Sequence, residues 1–156
     1  MPSLLNSHEL AAWRGLLQVH ARTTHALDAE MRREHGLSLS AYEVLMFLGD
    51  APGQRLRMAE IADRVLISRS GCTRVVDRLV ELGLVTRCAA EDDGRGAFAQ
   101  LTAAGAERLR AARRTHHEGV RRCFLDRLDA SDQLALGDAW ARILADPAPE
   151  AAERAA

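Results

Sequence analysis

Between Ser68 and Leu82 the chain reads SRSGCTRVVDRLVEL, and these side chains divide by chemistry as well as by position. Wound as a helix of about 3.6 residues per turn, the stretch turns Cys72, Val75, Val76 and Leu79 to one side. Ser70, Thr73, Arg74 and Asp77 fall on the other, with Arg69 and Arg78 at the margins and Ser68 as a good N-cap. Short hydroxyls and guanidinium groups near a helix N-terminus suit one chemistry well. Backbone amides, hydroxyls and arginine reach phosphate oxygens, and an arginine fork pairs with the O6 and N7 of guanine in a major groove. A solvated amphipathic helix carries the same residue types, so the flanking sequence must decide between the two.

The following segment supplies a second group. In EDDGRG, Arg95 stands between two glycines at the expected tip of a hairpin, with Asp93 close enough in sequence to orient its guanidinium. Such a tip can approach a narrow minor groove, where negative potential favours arginine. A third group is Trp13, His20 and Thr24 in one helical stripe, with Tyr42 and Met46 in the next helix. Polar groups in the middle of an apolar stripe would fix the orientation of a small ligand, although core and dimer packing would use the same residues.

Other reactive side chains lead less far. His116 and His117 are adjacent, so on a helix they point about 100° apart and lack a partner at metal-binding spacing. A metal site would have to borrow His20 or His25, and none is expected. Cys72, Cys88 and Cys123 are odd in number and widely spaced, which argues against a disulfide scaffold. Cys72 falls on the apolar face, where a thiol is ordinarily inert. No dinucleotide or phosphate loop, nucleophile elbow or paired zinc-protease histidines occur, so neither an enzyme nor a cofactor is expected.

Composition bounds the partners less sharply. All 21 basic residues are arginine against 22 acids, a net charge of -1. Residues 1–50 hold 4 arginines and 6 acids, 51–102 hold 8 and 7, and 103–156 hold 9 and 9. Net charge therefore gives no footprint of a nucleic acid, and that reading rests on where the charges point. No apolar run is long enough to span a bilayer and no leader pattern opens the chain, so a cytoplasmic protein without a membrane partner is expected.

The elements that must position these groups follow from caps and periodicity. Asn6 and Glu9 form a capping box for a long helix whose stripe runs Leu10, Trp13, Leu17, His20, Thr24, Leu27 and Met31, closing near Gly36. Ser40 and Glu43 suggest a second capping box, and APGQ ends the helix it opens. MAEIADRV is a short helix turning Ile61, Ala62 and Val65 inward, and a tight connection leads from it to Ser68. Together the two helices form a helix-turn-helix. LVTRC and AFAQL read as the strands of the hairpin. Thr102 can cap a helix reaching about Leu128, with Leu109, Ala112, His116, Val120 and Phe124 along one side. A final helix turns Leu136, Trp140 and Ile143 inward.

The expected fold is therefore mainly α, a winged helix-turn-helix with a short β-hairpin wing, flanked by long N- and C-terminal dimerisation helices. Its parts are a first helix over 1–36, the DNA-binding module over 37–102, the closing helices over 103–146, and a disordered tail over 147–156. The terminal stripes are too long to bury on so small a module, which implies a second copy of the chain.

TRVVDRLVELGLVTR, then DGRG, then LTAAG at this spacing resembles the MarR family of winged-helix transcription regulators, densely over Leu56–Gly105. The resemblance implies a recognition helix on Ser68–Leu82, with base and phosphate contacts among Ser68, Arg69, Ser70, Thr73, Arg74 and Arg78. It places the wing arginine on Arg95 and its acid on Asp93. It also implies a homodimer joined through first and last helices, and release of double-stranded DNA by a small, often aromatic, effector. One departure is Gly94, where the family often has a further arginine, so one phosphate contact is missing. Alternatives of the same fold are a zinc-responsive or redox-responsive regulator, although the reactive first-helix cysteine of the family's peroxide sensors is absent here. A different class, a winged helix used only for protein assembly, would predict an apolar wing or recognition face.

Overall fold

The structure, a computed structural model, describes residues 4–89 and 97–145. Asp93, Arg95 and the rest of the hairpin tip lie outside the described residues, as does the tail 147–156. In chain order the elements are α1 (Ser7–His35), α2 (Leu39–Asp50), β1 (Arg55–Arg57), α3 (Met58–Val65), α4 (Arg69–Glu81), β2 (Val85–Ala89), β3 (Ala97–Leu101), α5 (Ala103–Cys123) and α6 (Ala130–Ala145). Residues through Gly119 form one compact unit, and those from Val120 onward form another.

Local chemistry explains most of the boundaries. The Asn6 side chain accepts from the amides of His8 and Glu9 at 2.9 and 3.0 Å, and Glu9 accepts the Asn6 amide at 2.7 Å. Gly36 closes α1 at φ +66°, a left-handed conformation that glycine adopts without a Cβ penalty. The start of α2 differs from the expected box at Ser40. The cap is Ser38, whose hydroxyl accepts the Ala41 amide at 3.1 Å. The reason is a tertiary contact: Asp28 of α1 accepts the Leu39 amide at 2.8 Å, satisfying a first-turn donor from outside the helix. Asp28 also pairs with Arg32 at 2.6 Å, and that hydrogen bond holds its carboxyl below the usual range.

β1 was not expected from the sequence. It is three residues long, too short to display a period, and follows Gly53 and Gln54, both at positive φ. It exists because β3 pairs with it, and the sheet order is β1-β3-β2, antiparallel throughout. Leu56, Val85, Ala99 and Leu101 face a core that also holds Tyr42, Val44, Leu45, Leu48, Ile61, Cys72, Val76 and Leu79. Thr102 then locks the sheet to α5, its hydroxyl donating to the Gly83 carbonyl at 2.8 Å and accepting the Gly105 amide at 2.9 Å.

α5 ends at Cys123, short of the expected Leu128, because Phe124 leaves helical geometry at φ -134°. A short 3-10 turn over Leu125–Arg127 follows. Asp129 then caps α6, accepting the Asp132 amide at 2.8 Å and the Ser131 hydroxyl at 2.7 Å. Within the described chain α6 buries no residue. Leu136 and Trp140 are half-buried, and Ile143, expected to turn inward, is 62% exposed.

Candidate nucleic-acid interface

α3 and α4 owe their relative placement to apolar residues on facing sides. α3 buries Ile61, Ala62 and Val65, and α4 buries Cys72, Val76 and Leu79. Burial pushes the Cys72 thiol up, and its Sγ lies 3.6 Å from the Met58 carbonyl as a weak donor. Between the helices Leu66 takes φ +56° while remaining 90% exposed, an unfavourable conformation for a side chain with a Cβ. Ser68 caps α4 as expected, its hydroxyl accepting the Gly71 amide at 3.1 Å and lying 3.2 Å from that of Ser70.

The outward face of α4 carries Arg69, Ser70, Thr73, Arg74, Asp77 and Arg78, all exposed. Their partners separate them. Arg78 pairs with Glu81 at 2.9 Å, and Asp77 with Arg87 of β2 at 2.7 Å. Arg69 and Arg74 have no carboxylate partner among the described residues. Thr73 spends its proton on the Arg69 carbonyl at 3.1 Å and keeps its oxygen as an acceptor. The face thus presents two unpaired guanidinium groups beside hydroxyls on the first turns of a capped helix. Exposed ion pairs are worth at most about 1 kcal/mol, so Arg78 can exchange Glu81 for another anion at little cost.

The ligand-site residues do not share one environment in the single chain. Tyr42 is buried and Met46 half-buried against the core, whereas Trp13 is 54% exposed and His20 is exposed as well. Thr24 is satisfied locally, donating to the His20 carbonyl at 2.8 Å. The structure instead brings His116 of α5 onto Tyr42, ring centroids 4.6 Å apart and stacked. The Tyr42 hydroxyl and His116 Nδ1 are both buried without a hydrogen-bond partner among the described residues. Burial pushes the Tyr42 phenol up and the His116 imidazole down from its ordinary value. Arg113 comes near enough to oppose the Tyr42 shift without reaching hydrogen-bond geometry, its guanidinium being held by Asp50 at 3.0 Å. Sequence spacing pairs His116 only with residues of its own helix, so its contact with Tyr42 was not visible there.

Sequence reasoning also passed over Arg55 and Arg57. Both are exposed on β1, with guanidinium carbons 5.0 and 4.8 Å from the centroid of the Phe98 ring.

Known proteins share the sequence pattern and the fold. A family model described as MarR family matches residues 35–96. Two regulators of Bacillus subtilis match in sequence: MhqR, an HTH-type transcriptional regulator, at 33% identity over 96 residues, and the repressor YetL at 28% over 105. These matches cover 58% and 67% of this chain but only 63% and 62% of those proteins, under two thirds of their length. Solved structures match further. Sco3205 of Streptomyces coelicolor, a MarR family transcriptional regulator solved in complex with DNA, is 34% identical with a TM-score of 0.85, covering 95% of this chain and 94% of its own. AbsC, from the same organism and family, is 34% identical with a TM-score of 0.83, covering 91% and 95%. One-third identity sustained over nearly the whole of both chains, on the fold described above, means that this chain belongs to the MarR family of winged-helix transcriptional regulators.

Proposed function

We propose that the chain is a sequence-specific DNA-binding repressor that grips a pseudo-palindromic operator as a homodimer and releases it when a small aromatic molecule binds. The observation that carries the reading is the outward face of α4, where Arg69 and Arg74 stand unpaired among hydroxyls while the opposite face is buried. In this reading Ser68, Arg69, Ser70, Thr73, Arg74 and Arg78 meet the major groove, and Arg95, oriented by Asp93, meets the minor groove. The DNA complex of a regulator 34% identical to this chain supports DNA binding as the function, and YetL's designation as a repressor supports the sign of regulation. The effector is assigned to the neighbourhood of Tyr42, where a phenol or carboxylate would give the Tyr42 hydroxyl and His116 Nδ1 the partners they lack. A ligand that prefers one of two dimer shapes then changes DNA affinity by that preference alone.

One experiment tests the reading. Duplexes bound by the chain are selected from a random pool, and affinity for the enriched site is measured with and without a panel of small phenols and aromatic acids. Inverted half-sites about one helical turn apart are expected. Arg74→Ala should cost about 1–3 kcal/mol and relax preference at one base pair. Arg95→Ala should weaken binding and change its dependence on flanking A·T content. A pool without enrichment, or both variants binding as tightly as the parent, would overturn the DNA assignments; a panel that releases nothing would overturn the effector.

A further inference from the structure

The outer face of the small sheet carries a cationic pair that the recognition helix and wing do not account for. Arg55 and Arg57 stand two positions apart on β1, so both side chains leave the same face of the strand. The register sets Arg57 directly opposite Phe98 and Arg55 opposite Gln100, one step along the same face. The Phe98 ring lies 4.8 Å from one guanidinium carbon and 5.0 Å from the other. One aromatic ring thus positions two like charges that would otherwise spread apart. A ring holds a cation through its quadrupole and neutralises none of its charge. Neither guanidinium forms an ion pair among the described residues; the nearby Glu60 carboxylate accepts the main-chain amide of Arg57 at 2.8 Å instead. The ring therefore holds two guanidinium groups that no ion pair occupies, an arrangement suited to a polyanion whose negative groups repeat along a line.

The position of the pair names that polyanion. Arg57 is the residue immediately before α3, the first helix of the helix-turn-helix. When the second helix of such a pair enters the major groove, the first crosses the phosphate backbone. We propose that Arg55 and Arg57, held by Phe98, form an additional phosphate-binding element that extends the DNA interface along the backbone and adds affinity without sequence preference. This inference rests on the DNA-binding reading of α4 given above.

The test uses the full chain and the duplex enriched by selection, with dissociation constants measured over a series of salt concentrations. Removing one arginine from a phosphate lowers the slope of log affinity against log salt by about 0.9. Arg55→Gln/Arg57→Gln should reduce that slope by about this amount for each arginine and leave the enriched sequence unchanged. Arg55→Lys/Arg57→Lys should restore most of it. Arg55→Gln alone, which leaves Arg57 in place before α3, gives the same reading with half the effect should the double variant melt early. If the parent binds its site and the glutamine variants keep the parental slope and affinity, the inference is overturned while the DNA reading stands. Variants that lose base preference instead overturn it by assigning these arginines to bases. A parent that binds no duplex overturns the reading beneath it and this inference together.

Discussion

A proton on His116 would place a charge against the buried ring of Tyr42, and the surroundings resist it. Burial is the larger cause and the neighbouring His117 the smaller, and both hold the imidazole below its ordinary value of 6.5. The sign of the consequence follows by linkage. The unfolded chain takes this proton near pH 6.5 and the folded chain only at lower pH, so between those points the unfolded state binds more protons. Stability from this residue is thus intact above about pH 6.5 and is lost as pH falls through that value toward the depressed one. His116→Phe keeps a ring on Tyr42 and removes the titration. Melting temperatures of parent and variant should differ by a constant above pH 7 and diverge below 6.5, the parent losing more; a gap that stays constant to pH 5 would remove the assignment. The same residues show what sequence conveys at this scale. The outward face of α4 was readable because its residues are neighbours on one helix. His116 on Tyr42 and Arg57 on Phe98 were not, because each pair joins two elements and no local spacing encodes them.

Among the elements, boundaries set by a side chain within one turn were legible, and those set by a distant partner were not. Asn6, Ser68 and Thr102 cap their helices as their spacing predicts. The start of α2 moved to Ser38 because Asp28 reaches it from α1, and β1 exists only as the partner of β3. The junction of β2 and α5 makes a prediction of this kind. A Cβ on Gly105 would lie 2.1 Å from the Leu84 carbonyl oxygen and 2.8 Å from a Leu101 methyl. The oxygen belongs to the backbone and accepts the Thr102 amide at 3.1 Å, so it cannot swing away. Alanine ordinarily stabilises a helix relative to glycine by about 1 kcal/mol. Here overpacking should outweigh that gain, and Gly105→Ala should lose about 1–3 kcal/mol of stability in denaturant unfolding. An unchanged or raised midpoint would mean that α5 does not lie against Leu84 as described.

At the scale of the whole molecule, a net charge of -1 gives no long-range attraction to DNA, so in the proposed reading affinity comes from locally placed cations and from engaging two half-sites at once. The second requirement points to two copies. α1 leaves Trp13 54% and Leu17 49% exposed beside Leu16 and Val19, and α6 leaves Leu144 81% exposed with Leu134 and Ile143. Scattered apolar residues, such as Leu134 and Ile143 on opposite sides of α6, need no explanation, but Trp13, Leu16 and Leu17 share one side of α1 and mark a surface that water should not cover. A symmetric dimer would cover them and would set two α4 helices about 34 Å apart, the repeat of successive major grooves. Light scattering at micromolar concentration should accordingly give twice the chain mass of 17.1 kDa. Trp13→Asp/Leu17→Asp should shift the mass toward one chain and weaken operator binding far more than binding to an isolated half-site, because only the paired engagement is removed. A parent that stays a folded single chain at that concentration would refute the dimer, and with it the account of how a palindromic site is read.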